Sequence, residues 1–213
     1  MRLRLLTAVL LLLGLGACSS ATAAGPAAPT TARKTISFVV VGDSITAGTQ
    51  AIQGTEVPGT GSWIPGAEGE PLAFGGGWAV PGATTAAMRD GVARSDADAV
   101  VVLGGTNDLL QGVPWSVSRE NLLAIVRTTG VDDVVLSTIP PCDRVPEQRQ
   151  QYNDRLRALA ADQGWHLVDP WTRADSDGSW VPGASGDGIH PTPEVAGQAG
   201  RLIRTAVLDS ARG

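Results

Sequence analysis

Four short runs of apolar, largely β-branched residues constrain the fold of this chain more than any other feature of its sequence. They occupy residues 36–41, 99–103, 134–139 and 165–168. Near-continuous hydrophobicity over so few residues is typical of strands that are buried on both faces, as in a parallel sheet. Residues 72–80 are a candidate for a further strand, but the surrounding segment 50–82 is so rich in glycine and proline that its pattern does not place the strand.

Helical patterns separate these runs. Ser116 is predicted to cap a helix that ends near Gly130, and Pro146 is predicted to open a second helix that ends before Gly164. Thr192, followed by proline and glutamate, predicts the start of the last helix. The residues predicted to face inward from these helices are Leu122, Leu123, Ile125, Val126, Tyr152, Leu156, Leu159, Val195, Ala199, Leu202, Ile203 and Ala206.

Strands that alternate with helices at this spacing predict βαβ units. Such units form a parallel sheet with helices on both faces, so the expected fold class is α/β, a three-layer α/β/α sandwich with a mostly parallel central sheet. In a sheet of this kind, ligands bind at the carboxyl ends of the strands. A chain of 213 residues favours one folded domain, and no internal repeat is visible.

The charge balance and the metal-ligating residues exclude other function classes. The chain has 16 Lys and Arg against 21 Asp and Glu, a net charge of −5, with no basic cluster. Nucleic-acid affinity depends on neutralising phosphates, so we expect no nucleic-acid partner. Two Cys and two His do not make a four-ligand zinc site of the usual kind, and we expect neither a metal nor an organic cofactor.

The amino terminus is typical of a secretory signal. Arg2 and Arg4 precede an apolar run at residues 5–15, which is too short to span a bilayer as a helix. The run ends in Leu15-Gly16-Ala17-Cys18, which resembles the bacterial lipobox, whose cysteine is acylated. Ala21-Thr22-Ala23 is an alternative cleavage site that would release a secreted protein instead.

Three segments follow from this interpretation. Residues 1–17 are predicted to be a signal peptide, residues 18–34 a lipidated Cys18 with an Ala/Thr/Pro-rich tether, and residues 35–213 the folded domain. The protein is then exported and extracytoplasmic, anchored to the cell membrane at Cys18 or otherwise secreted. If Cys18 is acylated, Cys142 has no disulfide partner, and we expect it to be buried.

Polar residues follow the strands where a ligand site is expected. Ser44 comes directly after the first strand, at a strand-to-helix turn that can expose a nucleophile beside helix N–H groups. Asn107 follows the strand at residues 99–103, and Gly82 offers an unobstructed backbone N–H. Near the end of the chain Asp187 precedes His190 by three residues, a spacing that lets the carboxylate hold the imidazole tautomer.

Together these residues resemble the SGNH hydrolases, the GDSL-type esterases and lipases. The resemblance covers residues 36–207 and rests on four blocks in the family's order, which are Gly42-Asp43-Ser44, Gly82 within residues 80–84, Gly105-Thr106-Asn107-Asp108 and Asp187-Gly188-Ile189-His190. The first block usually continues with Leu, whereas this chain has Ile45, a conservative change. The resemblance implies the family's flavodoxin-like sandwich.

The roles that the resemblance implies agree with the chemistry of the residues. Ser44 would be the nucleophile, His190 the general base and Asp187 the residue that orients the imidazole. The backbone N–H groups of Ser44 and Gly82 and the amide of Asn107 would form the oxyanion hole. Asp43 and Asp108 are expected to hold their turns together rather than react.

Tryptophan is unusually frequent, with six residues against one Tyr and two Phe. Four of them lie close to the blocks and could rim the crevice, where their faces would stack on sugar rings or acyl chains, namely Trp63, Trp78, Trp115 and Trp180. Ordinary core packing is the alternative for each. Trp165 and Trp171 are expected in the core or at strand ends.

The favoured function is a serine esterase that hydrolyses acyl or acetyl esters of lipids or glycans through an acyl-enzyme, acting as a monomer. Two alternatives remain open. The same site could transfer an acyl group to a cell-envelope glycan, because both reactions share the acyl-enzyme. The chain could also be a catalytically inactive lipoprotein that binds glycan or lipid.

Overall fold

The computed structural model describes residues 34–212, and a six-stranded sheet forms the centre of this part of the chain. The strand order is β2-β3-β1-β4-β5-β6, and every pair is parallel except β2 with β3. The strands are β1 (Ile36–Gly42), β2 (Ile52–Gly54), β3 (Leu72–Ala79), β4 (Ala99–Leu103), β5 (Asp133–Ser137) and β6 (His166–Val168). The predicted α/β class and mostly parallel sheet are confirmed.

Helices and one hairpin complete the described part. The helices are α1 (Ser44–Ala47), α2 (Ile64–Ala67), α3 (Thr85–Gly91), α4 (Thr106–Leu110), α5 (Trp115–Thr129), α6 (Pro146–Gln163) and α7 (Pro193–Ser210). The hairpin strands are β7 (Asp175–Ser176) and β8 (Ser179–Trp180). None of the described helices combines the length and the apolar character that crossing a membrane requires.

The sheet separates two hydrophobic cores, which makes the three layers. On one face Val40 of β1 packs in the same cluster as Ile203 of α7 and the residues of α2. On the other face Val41 packs in the same cluster as Leu122 of α5 and residues of α3 and α6. Successive side chains of a strand point to opposite faces, so a run that is apolar throughout supplies both cores.

Two strands show where the sequence pattern was insufficient. The undecided strand near residues 72–80 exists as β3, and it pairs with β1 along most of its length. The sequence pattern did not predict β2, which has only three residues and lies at the edge of the sheet, antiparallel to β3. So short a strand has no periodicity to detect, and only its pairing with β3 defines it.

The helix ends agree with the sequence signals except at one start. Gly130 and Gly164 end α5 and α6 in the left-handed conformation, and the Thr192 side chain accepts from the third residue of α7, as predicted. The prediction that Ser116 caps α5 is wrong. The helix begins two residues earlier than a Ser116 cap implies, after Pro114, whose carbonyl accepts the first helical N–H bonds.

Most of the predicted inward-facing residues are buried or half-buried, and one is not. Leu202 of α7 is 43% exposed, so its prediction is wrong. Its neighbour Ile203 is fully buried and takes the position against the sheet. Leu123 and Val126 lie half-buried at the border of the α5 core face. The predictions for residues 1–17 and for Cys18 lie outside the described residues.

Candidate active site

Loops at the carboxyl ends of three neighbouring strands bring the predicted site residues to one edge of the sheet. Ser44 begins α1 directly after β1, Gly82 follows β3, and Asn107 lies in α4 after β4. Because β3 and β4 both pair with β1, these two residues follow the strands on either side of the one that carries Ser44. Asp187 and His190 reach the same edge from the loop between β8 and α7.

The turn at Ser44 is held by its neighbours. The Asp43 side chain caps α1, accepting the Ile45 N–H at 2.9 Å. Gly42 has no room for a side chain, since a Cβ there would lie 2.3 Å from the Thr46 hydroxyl oxygen. Ile45 is itself buried in the core. The strand can therefore pass tightly into the helix and leave Ser44 half-exposed at the surface.

The side chains of Ser44, His190 and Asp187 form one chain of hydrogen bonds. Ser44 Oγ lies 2.9 Å from His190 Nε2, and His190 Nδ1 lies 2.6 Å from Asp187 Oδ2. With a proton on Nδ1 donated to the carboxylate, Nε2 has a free lone pair that accepts the Ser44 hydroxyl proton. This arrangement can remove the proton from Ser44 as its oxygen attacks a substrate.

Backbone groups hold the Asp187 carboxylate and keep it ionised. Its Oδ1 accepts the N–H groups of Ile189 at 2.9 Å and His190 at 2.8 Å, which leaves Oδ2 for the imidazole. Partial burial raises the pKa of Asp187, but the hydrogen bonds from His190 and Ile189 outweigh burial and hold that pKa below its usual value. A negative charge therefore faces the imidazole across the neutral pH range.

The loop that carries Asp187 and His190 is fastened to the loop after β5. Asp143 donates its backbone N–H to the Gly188 carbonyl at 2.9 Å, and its side chain accepts the Trp180 N–H at 2.8 Å. Within the loop, Ser185 Oγ accepts the Gly188 N–H at 2.9 Å. These bonds hold the backbone before His190 at Trp180 and at Gly188. They therefore help to keep the imidazole in position beside Ser44.

The two predicted oxyanion donors differ in their surroundings. Gly82 has a φ of 80°, and a Cβ there would have no atom within 4 Å, so its backbone faces open space. The Asn107 amide donates to the Ala83 carbonyl at 3.0 Å and lies 3.5 Å from Asp43 Oδ2. The two amide N–H groups are therefore directed at Ala83 and Asp43, and the longer contact, to Asp43, is the weaker one that a ligand oxygen would replace.

Two buried aspartates hold this edge together, in agreement with the role predicted for them. Asp108 accepts from the Thr85 N–H at 2.7 Å, the Thr85 hydroxyl at 2.5 Å and the Ser118 hydroxyl at 2.8 Å, which ties α4 to α3 and α5. Asp43 is fully buried. Burial raises the pKa of Asp43 to about 7, the Ile45 N–H and His190 act against the rise, and Asp108 adds to it.

A cavity of about 530 Å³ opens beside the nucleophile. Ser44 and His190 line it, and its walls come from residues 48–49, residues 60–61, and the prolines Pro81, Pro191 and Pro193. None of these wall residues was predicted to belong to the site. Thr60, Gly61 and Pro81 lie in the glycine- and proline-rich segment 50–82, whose composition does not specify where a loop lies, and the other wall residues lie outside that segment.

The prediction that four tryptophans rim the crevice is wrong. Trp63 is fully buried, and its indole N–H donates to the Thr46 hydroxyl, while Trp180 packs edge-on against Trp171 in the same core. The half-buried Trp78 and Trp115 pack against the core on the other face of the sheet. None of the four lines the cavity at Ser44. The indole rings have large apolar surfaces, so packing them in the cores is more favourable than exposing them at the crevice.

Other predicted residues are located as follows. Cys142 is a buried free thiol, as predicted. Trp171 lies in the core and Trp165 is half-buried before β6, both as expected. Over residues 34–212 no group of three or more His, Cys, Asp or Glu side chains is arranged to hold a metal ion.

Comparison with known proteins agrees with this geometry. Residues 40–196 match the model of the GDSL-like lipase/acylhydrolase family. No curated protein sequence matches the chain.

Solved structures show the same fold. A GDSL-like lipase from Bacteroides thetaiotaomicron is 19% identical with a TM-score of 0.63, covering 81% of this chain and 88% of its own. A variant of the acetyl xylan esterase Axe2 from Geobacillus stearothermophilus is 17% identical with a TM-score of 0.63, covering 82% and 95%. TesA is 21% identical with a TM-score of 0.62, covering 82% and 99%.

At these identities the structures establish a shared fold, and the family model, which spans well over half of the chain, establishes more. The resemblance that the four blocks predicted is thereby confirmed. The chain belongs to the GDSL-like lipase/acylhydrolase family and is an ester hydrolase.

Proposed function

We propose that the chain is a serine esterase that hydrolyses carboxylic esters through an acyl-enzyme on Ser44. The observation that carries this proposal is the hydrogen-bonded chain from Ser44 Oγ through His190 to Asp187, with distances of 2.9 and 2.6 Å. A nucleophile, a base and a group that orients the base, arranged in this order, are what acyl transfer to a serine requires.

In the first half of the reaction Ser44 Oγ attacks the ester carbonyl carbon while His190 Nε2 takes the hydroxyl proton. The tetrahedral intermediate collapses, the bond to the alcohol oxygen breaks, and the imidazolium gives its proton to that oxygen. In the second half a water attacks the acyl-enzyme with His190 again as base. The carboxylic acid leaves and the proton returns to Ser44.

Three donors are proposed to stabilise the negative oxygen of each intermediate. They are the N–H groups of Ser44 and Gly82 and the Asn107 amide N–H that faces Asp43 at 3.5 Å when no substrate is bound. Losing one such donor typically lowers the rate 100- to 1,000-fold. The Asn107 bond to the Ala83 carbonyl supports this role, because it holds the amide in place before the substrate arrives.

Exposure of the base favours water as the acceptor. The His190 and Asp187 side chains are 45% and 52% exposed, so water can approach the acyl-enzyme from the side of the base. Release of free acid, with no acyl product when acceptor sugars are added, would support hydrolysis. Accumulation of acylated sugar would support transfer to a glycan instead.

The test of the proposal uses the full chain purified in detergent. Wild type is expected to react with a fluorophosphonate probe and to hydrolyse short p-nitrophenyl esters. Ser44→Ala is expected to lose both, while Ser116→Ala, the same change at an exposed serine of α5, keeps both. Equal labelling and equal hydrolysis in wild type and Ser44→Ala would refute the proposal.

Export with a lipid anchor at Cys18 is also part of the proposal, with ordinary secretion as its alternative. It is supported by Arg2 and Arg4, the apolar run at residues 5–15 and the lipobox-like Leu15-Gly16-Ala17-Cys18. Mass spectrometry of the amino-terminal peptide is expected to show an added mass that Cys18→Ala abolishes. An unmodified peptide starting at Ala24 or Gly25 would show ordinary secretion.

The protein is also proposed to act as a monomer, and light scattering is expected to give the mass of one chain.

A further inference from the structure

The cavity beside Ser44 is lined by the general base His190, and it touches the oxyanion donors only at Ser44 itself and at Pro81, the neighbour of Gly82. Pro191 and Pro193 line it, and they lead from His190 into α7, which packs on one face of the sheet. Gly82 and Asn107 do not line it. Gly82 leads into α3 and Asn107 lies in α4. Ala83, the first of the two residues between Gly82 and α3, packs in the core of the opposite face.

The chemistry of acyl transfer assigns a part of the substrate to each side. In the tetrahedral intermediate the negative oxygen faces its donors, here the N–H groups of Ser44 and Gly82 and the Asn107 amide. The leaving alcohol oxygen must face His190 Nε2, because that atom delivers its proton. The group attached to the leaving oxygen therefore extends into the space next to His190, and the cavity of about 530 Å³ occupies that space.

The cavity walls have few polar groups. Apart from Ser44 and His190, the lining consists of glycines, prolines and the two threonines Thr49 and Thr60. Among residues 34–212, the lining other than Ser44 and His190 contributes no aromatic ring, carboxylate, amide or cationic side chain. A charged alcohol would lose hydration there without a partner, and a sugar would have too few side chains to match its hydroxyls.

Backbone hydrogen bonds and close packing join the two segments that form the wall at residues 48–49 and 60–61, so this wall is formed before a substrate binds. Thr49 donates its N–H to the Thr60 carbonyl at 3.1 Å, and Gly59 donates to the Ala47 carbonyl at 2.9 Å. The two segments pack so closely that a Cβ on Gly48 would lie 2.5 Å from the Gly59 carbonyl oxygen. A wall that is already ordered loses little conformational entropy when a substrate binds. Apolar contact with it therefore contributes directly to affinity.

We propose, building on the esterase function above, that this cavity is the subsite for the leaving alcohol and that it selects esters of uncharged, mainly apolar alcohols. Selectivity for the alcohol then exceeds selectivity for the acyl chain. Acetate esters of long alkyl alcohols are better substrates than acetylcholine or acetylated glucose.

The first test compares two ester series by kcat/KM. One series keeps the acetyl group and lengthens a straight-chain alcohol from ethanol to octanol, and the other keeps ethanol and lengthens the acyl chain. Each methylene buried in the cavity is expected to raise kcat/KM about fourfold in the alcohol series, until the cavity is full. The acyl series is expected to rise less. A steep acyl series with a flat alcohol series would overturn the proposal.

The second test places a charge in the wall. Thr60 is exposed at its side chain and supports the wall through its backbone, so Thr60→Glu should leave the fold intact, which thermal unfolding checks. The ratio of kcat/KM for hexyl acetate to that for acetylcholine is expected to fall at least tenfold. The control Thr128→Glu, at an exposed position of α5, should keep the wild-type ratio. An unchanged ratio in Thr60→Glu would overturn the proposal.

Failure of this inference is distinguishable from failure of the esterase function. If wild type does not react with the fluorophosphonate probe, the esterase proposal itself fails. If the probe labels Ser44 and p-nitrophenyl esters are hydrolysed, but rates do not depend on the alcohol or favour acetylcholine, only the subsite assignment fails. Labelling without hydrolysis of any alkyl acetate also overturns the subsite assignment.

Discussion

Replacing Asp43 by asparagine is expected to remove a pH dependence from the stability of the protein. Asp43 is fully buried, with its Oδ1 on the Ile45 N–H and its Oδ2 near Asn107. Burial raises its pKa from 3.8 to about 7, against the opposing effects of Ile45 and His190 and with a further rise from Asp108. Asparagine has nearly the same shape and does not titrate.

The sign and size of the effect follow from this shift. Between pH 4 and 7 the native state keeps a proton on Asp43 that the unfolded state has lost, so the free energy of unfolding decreases as the pH rises. The interval from 3.8 to about 7 corresponds to ~4 kcal/mol at ~1.4 kcal/mol per pH unit. Most of it, about 3 kcal/mol, is lost between pH 5 and 8.

Urea unfolding at a series of pH values measures this dependence. The other described groups with a clear shift titrate outside this range, because the pKa values of Asp90, Asp98 and Asp187 are lowered and those of Arg89 and Tyr152 are raised. Asp43 therefore dominates the slope from pH 5 to 8. Asp43→Asn is expected to flatten the curve, and the exposed control Asp132→Asn should keep the wild-type slope. Parallel curves for wild type and Asp43→Asn, or a wild-type stability that rises with pH, would refute the reasoning.

Three further predictions concern the carboxylate that orients His190, the close contact between Gly105 and Tyr152, and the hydrophobic core. Asp187→Asn should lower kcat/KM for phenyl acetate roughly 1,000-fold at pH 7, because the imidazole loses its orienting charge; a loss below tenfold would contradict the triad geometry. Gly105→Ala should lower the melting temperature far more than Gly112→Ala, because both have positive φ but only at Gly105 would a Cβ overlap Tyr152; equal losses would contradict this. Ile203→Ala should cost about 2–5 kcal/mol of unfolding free energy in urea, and a loss below 1 kcal/mol would contradict its full burial.

The strands and the order of the site residues could be predicted from local pattern. Residues 99–103 form β4 with the predicted bounds, because a short, continuously apolar run has no favourable place except inside a parallel sheet. Gly130 and Gly164 ended their helices as predicted, because the left-handed conformation of a helix end favours glycine through its own local sterics. Such features depend on neighbouring residues, which the sequence displays directly.

The crevice could not be predicted in the same way. Trp63 is buried and Thr60 lines the cavity, although both lie in the same loop segment with no periodic pattern between them. Which of them faces the core depends on how that segment meets α7, and α7 lies more than a hundred residues away in the chain. A loop has no repeating geometry that would fix the direction of its side chains in advance.

The sequence by itself determined the α/β class, the residues that follow each strand and the family to which they point. Only the tertiary structure decided that Ser44 and His190, 146 residues apart, lie within hydrogen-bond distance, that Asp43 is buried deeply enough to hold a proton near neutral pH, and that the cavity has uncharged walls. Local conformation follows from each residue's own sterics and periodicity, whereas distances, desolvation and cavity shape depend on which distant segments come to share the same space.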